Sequence, residues 1–228
     1  MTTHDDVIRI AIYPSDQVIF PGQVVPLYDE VGTYGYQHPE ALAQMINFCR
    51  QRQCPLGMTF IPDQRGYGLA RIGTIATLVD ATQAVFQADG YPVVVGKARF
   101  KMMQIHHDQS FLEATVKVYP WSPTPPPSWE LIEHVGAYLR RYTKVMAELL
   151  PPALMPEILP PSAETLGSLS AASLQLPELE RQRILELGST QELLESVLHH
   201  FRLHVPLAER VAEMPPTVPE LCERMMMN

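Results

Sequence analysis

The chain has 228 residues, 46% of them apolar and 18% charged, a composition typical of an ordinary globular protein. Lys and Arg total 17 against 25 Asp and Glu, which gives a formal net charge of -8. A surface of that sign repels a phosphate backbone, so nucleic acid is not an expected partner. The N-terminus lacks a basic segment followed by an apolar run, and no stretch approaches the ~18 uninterrupted apolar residues of a membrane span. We therefore expect a cytoplasmic protein with no membrane partner.

Short β-branched runs, bounded by Gly, Pro and Asp, fill the first half of the chain and predict strands. In chain order they are VIRIAIY, QVIF, QVVPL, LGMTFI, GLARIGTIATLV, ADGYPVVVGKARFKMMQI and SFLEATVKVYP. Pro21 and Gly22 predict a sharp turn, because Pro presets the first corner and Gly accepts a positive φ. Further turns are expected at Asp89-Gly90 and at His107-Asp108. One amphipathic helix, from about Pro39 to Gln53, interrupts the strands. Short strands around a single helix favour a small closed or half-closed barrel, since closure removes exposed strand edges.

The prolines of YPWSPTPPPSW, at residues 119–129, divide the chain, because they fit neither a helix interior nor a central strand. After them, Ser128 is a predicted N-cap for a helix with a continuous apolar face. A weaker helix is expected from about Ala163, and Pro177 could open another as its first residue. Gly188 predicts a helix end, and Ser189 with Glu192 predicts a capping box before the next helix. We expect a small helical bundle with a peripheral tail from Met214.

Candidate catalytic and metal-binding patterns are weak. Cys49 falls on the apolar stripe of the first helix, which favours a core residue over a nucleophile. The HHD run at residues 106–108 suggests a solvated turn, because adjacent strand residues point to opposite faces. His200 and His204 have the helical two-His spacing but lack the glutamate of H-E-x-x-H and a third ligand. We therefore predict no catalytic residue, no metal and no cofactor.

Several segments, in this order, resemble the N-terminal substrate-recognition domain of Lon proteases. They are YPSDQVIFPGQVVPL, PLGMTFI, GYGLARIGTIATLV, DGYPVVVGKARFKMMQI, FLEATVKV and the helical LSAASLQLPELERQRILELGSTQELLESVL. The resemblance implies an α+β fold, namely a PUA-like β pseudo-barrel with one helix, followed by a small α-helical bundle. We expect three parts: the barrel domain at 1–120, a Pro-rich linker at 121–128 and a helical subdomain at 129–228. Where the family carries a short FEPRY-like segment, this chain has the longer YDEVGTYGYQHPE.

The resemblance implies a non-catalytic module that binds unfolded polypeptide or a protein partner, such as an ATPase or protease encoded elsewhere. Gly96-Lys97, the only G-K pair, is followed by Ala98 and lacks the glycine of a P-loop, so no ATPase is expected in this chain. Tyr28, Tyr34 and Tyr36 lie in a Gly-interrupted loop, where large amphipathic side chains often contact peptides. They are the predicted polypeptide-binding residues, and covering the barrel mouth is their alternative role. The predicted mechanism is burial of peptide side chains in a groove between barrel and helices. Trp121 and Trp129 are expected to hold the proline run in place rather than to bind a ligand.

Two alternatives stay open on sequence alone. The chain could be a small-molecule sensor or a small enzyme that reuses the barrel, although no convergent set of polar residues indicates such a pocket. A nucleic-acid role would follow from the PUA-like fold but is opposed by the net charge. The oligomeric state, and whether the helices pack on their own barrel or on a neighbour's, have no sequence signal.

Overall fold

A computed structural model describes residues 7–27, 39–62, 68–79, 92–149 and 162–213. The strands and helices are, in chain order, β1 (Val7–Ser15), β2 (Val24–Pro26), α1 (Pro39–Arg52), β3 (Leu56–Phe60), β4 (Ile72–Val79), β5 (Val93–His106), β6 (Glu113–Val118), α2 (Trp129–Leu149), α3 (Ala163–Ser173), α4 (Glu178–Glu186) and α5 (Thr190–Glu213). This is the mixed α+β architecture that the sequence predicts, with a six-stranded sheet and helices that follow it.

The sheet closes on itself through its longest strand. Its order is β2-β5-β4-β3-β1-β6, and β5 pairs a second time, with β6. The first part of β5 pairs with β4 and β2, and its second part, from Phe100 to His106, pairs with β6. β1 joins the ring by parallel pairing with β3 and antiparallel pairing with β6. Five strands thus form a closed ring, and β2 lies outside it, beside β5.

The interior of this ring is filled by side chains. Phe100 is fully buried and lies among Ile10, Ile12 and other apolar residues of the inner cluster. Two glycines make room for its ring: a Cβ added at Gly73 would lie 2.7 Å from Phe100 Cζ, and one added at Gly57 would lie 3.0 Å from Phe100 Cε1. Packing this tight is typical of a protein core and not of a ligand cavity.

Helix α1 covers one outer side of the barrel. Its buried residues Leu42, Met45, Ile46 and Cys49 pack with apolar residues of the strands in one cluster. Burial raises the pKa of the Cys49 thiol to about 12, so it stays protonated at neutral pH. The prediction that Cys49 is a core residue is confirmed.

Hydroxyl and carboxylate caps fix the starts of three of the helices after the proline run. Ser128 Oγ accepts from the backbone N–H of Leu131 at 3.2 Å, and Ser162 Oγ caps α3 through the N–H of Thr165. Before α5, Ser189 and Glu192 exchange backbone to side-chain bonds of 3.2 and 3.0 Å. This is the reciprocal capping box that the sequence predicts.

The helices pack on the barrel of their own chain. One cluster combines Val18, Phe20, Phe60 and Ile72 from the barrel side with Trp121 and buried residues of α2, α3, α4 and α5. We call this contact the seam. Its apolar side chains are Val18, Phe20, Phe60, Ile72, Trp121, Val135, Leu139, Tyr142, Leu166, Ala171, Leu174, Ile184, Leu185, Leu193, Leu194, Val197, Leu198, Phe201 and Val205.

Two local predictions need correction. Residues 18–20 were expected to form a strand but lie between β1 and β2, because their backbone groups bond to side chains, such as those of Glu178 and Arg181 at Val18, and not to a neighbouring strand. Pro177 precedes α4 as its N-cap instead of occupying the first helical position. The turn at His107-Asp108 is confirmed, whereas the Asp89-Gly90 turn and the tail from Met214 lie outside the described residues. Within the described ranges, no helix has both the length and the apolar composition needed to cross a bilayer.

Candidate functional site

The Pro21-Gly22 turn is attached to the backbone of β5. Gln23 N–H donates to Phe20 O at 3.1 Å, and Gly22 adopts φ 89°, a value that glycine accepts without strain. Gly22 N–H then donates to Gly96 O, and Gly96 N–H donates to Gln23 O, both at 2.9 Å. A Cβ at Gly96 would lie 2.5 Å from Phe20 O. The turn therefore holds Phe20 in the seam and requires glycine at two positions.

Arg99, on the same strand, crosses the seam to the helices. Its side chain is buried, and one terminal nitrogen donates to the carbonyl of Leu185 and, at 2.8 Å, to that of Leu187. The guanidinium carbon lies 3.8 Å from the centre of the Trp121 ring and 5.1 Å from that of Tyr119. Burial lowers the pKa of Arg99 to about 10, so it remains charged at pH 7. Arg99 thus binds the end of α4 to the barrel.

Arg181, on α4, crosses the seam in the opposite direction. It donates to the carbonyl of Val18 at 3.0 Å and to that of Leu174 at 3.2 Å. Glu178 accepts from the N–H of Val18 at 2.6 Å and lies 3.4 Å from Arg181 Nε. Burial raises the pKa of Glu178 and lowers that of Arg181, so each loses part of its preference for the charged form. The two residues fix α4 to the chain just before the Pro21-Gly22 turn.

The seam and the interior of the barrel are both filled by side chains of this chain. In the described part of the chain the seam is a packed core joined by two buried arginines, and this is where the sequence placed a binding groove. The barrel interior is equally full. A polypeptide-binding groove between barrel and helices stays a prediction.

The weak catalytic candidates have structural roles. Asp108 is paired with Arg9 at 2.7 Å, and hydrogen bonding to that guanidinium lowers its pKa. His106 Nε2 lies 2.8 Å from Thr115 Oγ1. The rings of His200 and His204 are 6.2 Å apart, and no group of three possible metal ligands occurs among the described residues.

The predicted contact residues fall in different places. Tyr28, Tyr34 and Tyr36 all lie outside the described residues. Trp121 is buried in the seam, as expected of a residue that fixes the proline run, whereas Trp129 is 70% exposed at the start of α2. The expectation that Trp129 fixes the proline run is wrong, because its side chain is largely in solvent.

An exposed apolar row on α5 escaped the sequence analysis. Leu203, Leu207 and Val211 are each more than half exposed and follow one another at intervals of four residues, on one side of the helix. We call these three residues, with the exposed Arg210 beside them, the α5 face. The helical spacing of apolar residues after Phe201 could have revealed it. From sequence, however, Pro206 predicts that the helix ends before this row is complete.

The family model of the ATP-dependent protease La (LON) substrate-binding domain matches residues 9–202. The chain belongs to this family. No curated protein matches the sequence.

Two solved structures share this fold over nearly the whole of their own chains. A Lon N-terminal domain protein from Xanthomonas campestris is 20% identical, with a TM-score of 0.59, over 84% of this chain and 98% of that one. The N-terminal domain of the Mycobacterium avium complex Lon protease is 15% identical, with a TM-score of 0.58, over 86% of this chain and 100% of that one. At these identities the likeness shows the fold.

The sequence motifs that resemble the Lon substrate-binding domain are explained by the seam. Phe20 to Gly22, Gly96 and Arg99 are the residues that dock the turn and the helices on β5. They hold the turn and the helices on the barrel through the bonds given above. Sequence reasoning therefore identified the family and missed the exposed surface, since the two are encoded by different residues.

Proposed function

We propose that this protein is a non-catalytic polypeptide-binding module of the Lon substrate-binding type. The observation that carries the proposal is the family match over residues 9–202, which spans the barrel and most of the helices. We propose as its ligand an unfolded polypeptide or a protein partner, for example an ATPase or protease encoded by another gene. The net charge of -8 supports a protein ligand over nucleic acid, and we propose a cytoplasmic location.

The packed interior supports binding on the outside of the molecule. Because Phe100 fills the barrel and the seam is packed, a polypeptide would dock on loops or on an exposed helix face. We propose that Tyr28, Tyr34 and Tyr36 contribute aromatic contacts, and that Trp129 can add another. The division into a barrel at 1–120, a linker at 121–128 and a helical part at 129–228 stays a prediction.

Fluorescence anisotropy would test the proposal directly. The full chain is titrated into a labelled, permanently unfolded polypeptide, with the folded form of that polypeptide as control and with ATP present or absent. We expect saturable binding to the unfolded form alone, unchanged by ATP. Absence of binding at tens of micromolar would overturn the function as an autonomous polypeptide binder. A triple variant with Tyr28, Tyr34 and Tyr36 changed to Ser then tests the loop contacts, with loss of affinity as the expected result.

A further inference from the structure

The end of helix α1 brings two cysteines together. The N–H of Cys54 donates to the carbonyl of Cys49 at 3.1 Å, and the N–H of Gln53 donates to the carbonyl of Arg50 at 3.3 Å. Between them the backbone turns at Gln53, whose φ of 49° lies in the left-handed region. These bonds form a Schellman motif, in which the residue after the left-handed one folds back against the last turn of the helix. Cys54 therefore lies against Cys49.

Both cysteines pack into the apolar cluster under α1. Cys49 is buried there beside Met45 and Ile46, and the half-buried Cys54 packs against the same cluster. The 3.1 Å hydrogen bond and the covalent bonds on either side of it limit the distance between the two Cα atoms to at most about 7 Å. Since disulfides usually join Cα atoms about 4.4 to 6.8 Å apart, the motif holds this pair at a separation that a disulfide can span.

The surroundings of the two thiols give them different roles. Cys49 is 2% exposed, whereas Cys54 is partly in solvent and meets a dissolved oxidant first. Burial raises the pKa of Cys49 to about 12, with further contributions from the negative charge of a Cys54 thiolate and from a hydrogen bond between the two side chains. Oxidation of Cys54 to an uncharged sulfenic acid removes that negative charge. The second step at Cys49 is thus made easier by the first step at Cys54.

We propose that Cys49 and Cys54 are a modification site that forms a reversible intramolecular disulfide with hydrogen peroxide. The Cys54 sulfur attacks one peroxide oxygen, the O–O bond breaks, and the released hydroxide leaves as water with the thiol proton. The Cys49 sulfur then attacks the sulfur of the sulfenic acid: the S–S bond forms, the S–O bond breaks, and a second water leaves with the Cys49 proton. Two thiols are oxidised and one peroxide is reduced to two waters. The inference goes beyond the proposed function and does not depend on it.

Tryptic mapping of the folded full-length chain tests for this bridge. Arg50 and Arg52 lie between the two cysteines, so trypsin separates Cys49 from Cys54 unless a disulfide joins them. The chain is treated with peroxide, the remaining thiols are blocked with N-ethylmaleimide, and the digest is analysed by mass spectrometry with and without dithiothreitol. We expect a linked pair of peptides that dithiothreitol separates, and a loss of about 2 Da from the intact chain before blocking, since a disulfide has two hydrogens fewer than two thiols.

The third cysteine, Cys222, provides the matched control. Cys222→Ser should leave the bridge unchanged, whereas Cys54→Ser should abolish it and leave the Cys49 thiol unmodified. In Cys49→Ala, which places no hydroxyl in the core, Cys54 should accumulate as a sulfenic acid that dimedone traps. The reverse pattern in these two variants would overturn the inference, as would bridges to Cys222 or further oxidation of Cys54 without a bridge. Two intact thiols in the folded chain, at a peroxide concentration that links them in urea, would overturn it as well.

Discussion

The seam and the α5 face use the same residue types in opposite ways. In the seam, Arg99 is 1% exposed, donates to backbone carbonyls and lies against an aromatic ring. On the α5 face, Arg210 is in solvent beside a row of exposed apolar side chains. The difference teaches that an arginine next to apolar residues identifies neither a core nor a contact site by itself. Burial and the partners of the guanidinium decide which of the two it is.

The two tryptophans give the largest expected contrast. Trp121→Ala should lower the free energy of unfolding by about 3 to 5 kcal/mol, because it opens a cavity in the seam. Trp129→Ala should change it by less than about 0.5 kcal/mol, since that side chain is 70% exposed. Urea denaturation of both variants measures the difference. Similar losses of stability would mean that Trp129 has a buried role.

Arg99→Ala should lower the free energy of unfolding more than Arg210→Ala does. Arg99→Ala removes the donor from the carbonyls of Leu185 and Leu187 and the contact with Trp121, at a cost of about 3 kcal/mol. Arg210→Ala is expected to stay within about 0.5 kcal/mol. Thermal and urea denaturation test both. A mild Arg99→Ala would indicate that the seam can repack without its buried charge.

Gly96 in the seam and the less crowded Gly188 should differ in how much stability an alanine substitution costs. At Gly96 a methyl group would lie 2.5 Å from the carbonyl of Phe20, so Gly96→Ala should cost about 1 to 3 kcal/mol. At Gly188 its nearest contact would be Glu192 Oε2 at 3.4 Å, and Gly188→Ala should cost less than about 1 kcal/mol. Calorimetry of the two variants decides the order. A tolerated alanine at Gly96 would argue against the close docking of the Pro21-Gly22 turn.

Glu178 and Glu209 should make small contributions of opposite sign to the pH dependence of the free energy of unfolding. Burial raises the pKa of Glu178, so the folded state binds its proton more readily than the unfolded state does. As pH falls through that raised pKa, the cost of burying the charge is lost and wild type should gain stability relative to Glu178→Gln. The pKa of Glu209 is lowered by Arg141, so wild type should lose stability relative to Glu209→Gln as pH falls through it. Denaturation from roughly pH 7 to 3 measures both slopes; slopes of the same sign would contradict the expectation.

Local chemistry made much of the fold predictable. Ser128, Ser189 and Glu192 act through hydrogen bonds within four residues, so the sequence shows their roles directly. The α1 helix, expected from Pro39 to Gln53, extends from Pro39 to Arg52, because its apolar stripe is complete within the segment itself.

Features that depend on distant contacts were harder to predict. Residues 18–20 are two β-branched residues and a phenylalanine, as in a strand. Their environment is set by α4 residues about 160 positions later, through Glu178 and Arg181. The exposure of Trp129 and the apolar row after Phe201 likewise depend on what packs beside each helix. Periodicity indicates which residues share a side of a helix, and tertiary packing decides whether that side is covered.

Closure of the barrel has a consequence for how the chain folds as it is synthesised. Val7 of β1 pairs with Lys117 of β6, so the ring cannot close until more than a hundred residues have left the ribosome. Before that moment β1 has no antiparallel neighbour, and the hydrophobic strand edge is open to other nascent chains. A pause of translation once residue 118 has left the ribosome would let β6 reach β1 before the helices emerge. Early release of a shorter fragment would instead favour aggregation.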